Sequence, residues 1–144
     1  MKTRFSQILK FKQSIVNKIE LEIVSVNNLI FAKQREIEAL HKTMSAFTPP
    51  DTREYGLFLA FRESLSHLRD KINAENNILA MLESRKIDTL KRHKRAQIEY
   101  EKINALHLEE VQNALKKARK REAKEQDELA QIKFSTQKRL QNVD

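Results

Sequence analysis

The chain has 144 residues, a net charge of +8, one glycine, two prolines and no cysteine, and 33% of it is charged. That composition belongs to long helices and coiled coils rather than to an average globular domain. It excludes a disulfide framework, a thiolate metal site and a cysteine nucleophile.

One domain is expected at this length, drawn out rather than thick. Nine aromatics (seven Phe, two Tyr) and no Trp suit a thin helix-to-helix seam better than a deep core. The longest uncharged run, residues 23–32, is ten residues long, whereas a membrane span needs roughly 20. Lys10 and Lys12 interrupt the apolar part of the opening MKTRFSQILKFK, so it does not read as a signal peptide. The expected location is the cytoplasm.

The first element is a helix over about residues 4–47. Steps of three and four give Phe5, Leu9, Lys12, Val16, Ile19, Ile23, Val26, Ile30, Lys33, Ile37, Leu40, Met44 and Phe47; eleven of these thirteen are apolar, the exceptions being Lys12 and Lys33. A period of 3.5 keeps one apolar stripe facing a partner helix over the whole length. The stretch SAFTPPDTREYG, residues 45–56, then holds Pro49, Pro50 and Gly56, every proline and glycine of the chain. Prolines lack an amide donor and disfavour helical geometry in the residue before them, so a turn is expected over 48–56. Asp51 with Glu54 has the spacing of a capping arrangement, which predicts a second helix from near Thr52.

That second helix is expected over about 52–142, since no Gly or Pro interrupts residues 57–144. Its stripe reads Phe58, Phe61, Leu65, Leu68, Ile72, Glu75, Leu79 and Leu82, seven of eight apolar. Past Leu82 the register is expected to slip by about one residue, to Ile87 and Leu90. It recovers at Tyr100 and Ile103 and slips again to Leu108, Val111, Leu115 and Ala118. After Glu122 and Glu125 it returns as Leu129 and Ile132. Asn73, Asn76 and Asn77 are the expected kink. A short turn makes long helices antiparallel neighbours. The fold class is therefore all-α, an antiparallel two-helix coiled-coil hairpin with a longer, overhanging second helix. The pairing is expected to run out near residues 95–100.

Two surfaces are candidate partner sites. One is the bulky patch Phe58, Phe61, Leu65, Leu68 and Ile72 near the turn, read either as the closed end of the hairpin core or as a docking surface. The other is basic. Residues 85–124 hold 13 Lys or Arg against 6 Asp or Glu, including KRHKR at 91–95 and KKARKR at 116–121. This is either a solvated helix face or a surface for an acidic partner. Nucleic acid fits less well, because no aromatics interleave the basic runs for base stacking. His41, His67, His93 and His107 are too scattered for a metal motif and read mostly as solvated. With no glycine loop for phosphate, no nucleophile elbow and no expected pocket, the chain reads as non-enzymatic, without cofactor or metal.

Three stretches resemble the FliJ family of the bacterial flagellar export apparatus: the basic-aromatic start MKTRFSQILKFKQ, IEYEKINAL at 98–106 and EAKEQDELAQIKF at 122–134. The layout of a shorter first helix, a turn after a third of the chain and a longer second helix is similar too. The resemblance implies a hairpin like the central stalk of rotary ATPases. The expected partners are a hexameric export ATPase, the membrane export gate and export chaperones that it helps to recycle. It would act as a chaperone in type III protein export and motility, associated peripherally with the inner membrane. By similarity, Phe58, Phe61, Leu65, Leu68 and Ile72 meet the gate. Lys116, Lys117, Arg119, Lys120, Arg121, Asp127 and Glu128 meet the ATPase ring. The alternatives are a coiled-coil adaptor or homodimer, and a basic helical protein on nucleic acid.

Overall fold

The computed structural model describes residues 1–51 and 53–142. Among them the regular structure is two helices, α1 over Ser6–Ser45 and α2 over Tyr55–Gln141, packed against each other with no strand. The chain divides into two units, Ser14–Gln97 and Met1–Gln13 with Ile98–Asp144.

Within Ser14–Gln97 the two helices lie antiparallel. The buried residues of α1 are Val16, Ile19, Val26, Ile30 and Ile37, with Val26 only 1% exposed. Ile23, Lys33, Leu40 and Met44 are half-buried between and beyond them. These are the positions of the expected stripe, because steps of three and four return to one side of a helix of 3.6 residues per turn. Each buried aliphatic side chain contributes about 1.5–3 kcal/mol. Across from them, α2 presents Phe61, Leu65, Leu68, Glu75, Leu79 and Leu82 half-buried, and Ile72 only 5% exposed.

Past Leu82 the expected slip does not occur. Ile87 and Leu90 are 55% and 44% exposed, whereas Thr89 is 3% exposed and Lys86, His93 and Ala96 are half-buried. The seam keeps its rhythm as 82, 86, 89, 93 and 96. A slip of one residue would turn the contact face by about 100°, away from Val16, Ile19 and Val26. The helix therefore holds its register and accepts polar residues. Lysine and histidine cover apolar surface with their stems while their polar ends reach outward. The buried Thr89 hydroxyl donates to the Arg85 carbonyl of its own helix, 2.8 Å away, so it leaves no orphaned polar group. Helical structure also passes unbroken through Asn73, Asn76 and Asn77.

The breakers divide the work at the turn. After Ser45 the Ala46 amide donates to the Lys42 and Thr43 carbonyls, and the Phe47 amide to that of Met44. The chain then leaves helical geometry over the prolines. The Phe47 and Phe61 rings pack at 6.3 Å between centroids, tilted by 40°, and join the two helices beside the turn. The expected start near Thr52 lies outside the described residues. The first turn of α2 opens at Tyr55, with the Phe58 amide donating to the Glu54 carbonyl at 3.3 Å. Asp51 and Glu54 both precede the helix, so they do not form the reciprocal cap that their spacing suggests. Gly56 sits inside that first turn without positive φ, and a Cβ built on it meets nothing within 4 Å.

In the unit Met1–Gln13 with Ile98–Asp144, the start of α1 is fixed by a reciprocal cap. The Ser6 hydroxyl accepts from the Thr3 amide at 2.8 Å, and the Thr3 hydroxyl accepts from the Phe5 amide at 3.1 Å. Thr3 Oγ1 also lies 2.8 Å from His107 Nδ1, and Arg4 pairs with Glu110 at 2.6 Å. Pairing with α2 thus reaches residues 107–110 rather than ending near 95–100. From residue 112 to 142 every residue is exposed.

Two substitutions test the seam. Ile72→Ala should destabilise the fold by about 2–4 kcal/mol, whereas Ile87→Ala should change stability by no more than about 0.5 kcal/mol; urea unfolding followed by far-UV circular dichroism measures both. Equal costs would mean that the register does slip. Gly56→Ala should raise stability by about 0.5–1 kcal/mol, because alanine removes chain entropy in a helix without meeting a neighbour.

Candidate interaction surfaces

The polar residues of the seam are its most specific feature. Lys33 interrupts the stripe of α1 and Glu75 interrupts that of α2, and they meet: Lys33 Nζ lies 2.5 Å from Glu75 Oε2 and 2.9 Å from Glu36 Oε2. Both partners of the closer pair keep no more than a fifth of their side chains exposed. The bond to Glu75 first, and that to Glu36 second, raise the Lys33 ammonium above its ordinary pKa. Further along, Arg92 pairs with Glu22 at 2.8 Å and His93 Nε2 lies 3.2 Å from Glu20 Oε1. The hydrogen bond from Arg92 holds Glu22 below the usual carboxylate range against the opposing effect of burial, aided by the charges of Arg92, Lys18 and Arg85.

These bonds account for two histidines and for part of the basic run at 91–95. His93 and His107 are half-buried seam residues with hydrogen-bond partners, while His41 and His67 are exposed. The expectation of mostly solvated histidines therefore holds for two of the four. The seam roles of Thr3, Thr89, His93 and His107 are absent from the apolar periodicity, because hydrophobicity alone does not mark a polar side chain at a seam position. The unbroken spacing of three and four from Ile72 could have found the last three.

The two expected partner sites differ in what they leave uncovered. In the patch near the turn, Ile72 is buried and Phe61, Leu65 and Leu68 are half-buried, so their inner sides face α1. Phe58 is exposed, as are Leu57 and Leu59, which makes the first turn of α2 its most accessible apolar part. Lys116, Lys117, Arg119, Lys120, Arg121, Asp127 and Glu128 are all exposed, and none joins an ion pair among the described residues. Around them, α2 offers a solvated helical surface, positive over 116–124 and negative over 125–128.

The concave surfaces are open grooves, one along Met1, Arg4, Leu9 and His107 and another around Ile132 and Arg139 on α2. No group of three or more His, Asp or Glu among the described residues is placed to hold a metal ion. No described helix is long and apolar enough to cross a membrane.

A helical hairpin with a polar seam and an uncovered, charged stretch of second helix defines a coiled-coil interaction protein. The family model described as "Flagellar FliJ protein" matches residues 1–139, and the chain belongs to that family. Membership makes it a component of the flagellar export apparatus, in a structural, chaperone-type family that is not a known enzyme family. No curated protein and no solved structure matches the chain.

The pKa directions fix a pH dependence. A carboxylate held low in the fold contributes stability above its unfolded pKa, and that contribution disappears as pH falls through the folded value. Glu22→Gln should therefore weaken the protein near neutral pH, with the difference from wild type vanishing only in acid below the ordinary glutamate range. Denaturant midpoints across that range measure it. For Lys33 the raised pKa gives the opposite sign: its contribution is complete below the ordinary lysine pKa and is lost in alkali above it.

Proposed function

We propose that this chain is the central stalk of the flagellar export ATPase ring and an escort that links the ring to the membrane export gate and to export chaperones. The observation that carries this reading is the stretch of α2 from 112 to 142, in which every residue is exposed. A helix that continues beyond its seam without collapsing onto its own chain has its sides free for a surrounding partner. Its residues 116–124 carry six cations against one carboxylate, which favours acidic surfaces inside a ring and speeds encounter with them.

Membership of an export family supports the same reading, since the apparatus is driven by an ATPase and ends at a membrane gate. The stalk acts mechanically. It positions and turns with the subunits around it, and the seam keeps it stiff. Lys116, Lys117, Arg119, Lys120, Arg121, Asp127 and Glu128 contact the ring. Phe58 with Leu57 and Leu59, supported from beneath by Phe61, Leu65, Leu68 and Ile72, contacts the gate. Its location follows as the cytoplasmic face of the inner membrane.

The cognate hexameric ATPase, titrated with the full chain, should gain turnover and ring assembly. Reversing Lys116, Lys117, Arg119, Lys120 and Arg121 to glutamate should remove most of the gain while far-UV circular dichroism stays helical. Hydrolysis rates and ring counts in electron micrographs read the outcome. Unchanged turnover and assembly on adding wild-type chain would end the stalk reading.

A further inference from the structure

The second helix carries two stripes. One packs against α1. The other, at positions 108, 111, 115, 118, 122, 125, 129 and 132, follows the same steps of three and four on a neighbouring side. Six of its eight residues are apolar: Leu108, Val111, Leu115, Ala118, Leu129 and Ile132; Glu122 and Glu125 are the exceptions. Leu108, Leu115, Leu129 and Ile132 are all exposed. This is a coiled-coil edge with nothing over its outer part, since every residue from 112 to 142 is exposed.

We infer that this edge pairs with the same edge of a second copy, antiparallel, about a two-fold axis between residues 123 and 124. The flanking charges favour this occupant and this register. Residues 116–124 carry six cations and one carboxylate, and residues 125–128 carry three carboxylates and no cation. A parallel pair would lay the cationic block on its own copy. An antiparallel pair lays it towards the partner's acidic block.

With the axis at that place, Leu115 faces the partner's Ile132 and Ala118 faces the partner's Leu129. Flanking these layers, Arg121 meets the partner's Glu128, twice by symmetry. This is the flanking geometry that Glu22 and Arg92 already use in the hairpin, at 2.8 Å. Sliding either way by one heptad brings Arg121 against the partner's Arg121 or Glu128 against the partner's Glu128, and like charges at such positions destabilise the pair. Glu122 and Glu125 form the central layer with their symmetry mates. Glu122 then faces the partner's Glu125, twice by symmetry, and these like charges oppose the pairing, so the dimer is weak and reversible. The inference does not depend on the ring assignment, which requires the same stretch to be uncovered.

The test uses two full-length variants, Arg121→Glu and Glu128→Arg, with sedimentation velocity from micromolar to near-millimolar concentrations. Wild type should form a dimer. Each variant alone should dimerise at least about tenfold more weakly, because two attractive pairs become two repulsive ones. Mixed one to one, the variants should recover wild-type association, since the heterodimer restores both opposite-charge pairs. Glu122→Leu with Glu125→Leu should tighten the wild-type dimer. All these positions are exposed and helical, so circular dichroism should be unchanged. A wild-type chain that stays monomeric throughout would overturn the inference. So would a mixture no stronger than its separate components, or a dimer indifferent to all four substitutions.

Discussion

Lys33 and Glu75 set the register on which the hairpin depends. Each is the odd residue in an otherwise apolar stripe, and each alone would put a charged group into a seam of isoleucine and valine. Paired across the seam, they satisfy each other. Sliding either helix by a turn would separate them and set each against aliphatic side chains. The apolar residues supply most of the stabilisation without direction, because one isoleucine packs much like another. The ion pair adds a preference for one alignment, and the ion pairs Glu22–Arg92 and Glu20–His93 continue it. In the unit that holds the chain's start, Thr3–His107 and Arg4–Glu110 obey the same antiparallel order. All these pairs carry residue numbers that add to between 108 and 114.

The cost of that order falls on the seam's composition. Between Leu82 and Tyr100 the seam is built from Lys86, Thr89, His93 and Ala96, a poor apolar stripe by any hydropathy measure. Ile87 and Leu90, which would make a better one, are left outside. A helix cannot move one residue onto another face without unwinding, and unwinding would sacrifice backbone hydrogen bonds on both sides. The stronger packing of Val16 to Ile37 against Phe61 to Leu82 therefore imposes its face on the weaker segment. The apolar residues turned outward stay exposed, as do Leu115, Leu129 and Ile132 further along.

The proposed stalk role draws on both properties. A seam with fixed register holds the paired helices in one alignment, which is the stiffness that the proposed stalk role calls for. In the proposed role, residues that the seam leaves exposed provide the contacts. The exposed stretch at 112–142 and the first turn of α2 at Leu57, Phe58 and Leu59 supply two different chemistries, one charged and one apolar.

Much of this was legible in the residue order. The all-helical class, the turn at the prolines, the stripe of α1 and its counterpart from Phe61 to Leu82 all follow from local periodicity and backbone chemistry. The three stretches resembling the FliJ family pointed to the export apparatus, which the match over residues 1–139 then showed. Tertiary structure alone decided which face of α2 continues the seam beyond Leu82, that pairing reaches His107 and Glu110, and that Lys33 finds Glu75. It also decided that Asp51 and Glu54 stay outside the helix they were expected to cap. The physical reason is common to the first three. Periodicity reports what each helix could bury by itself, whereas register depends on what the opposite helix offers at the same height, and that is settled only when the two come together.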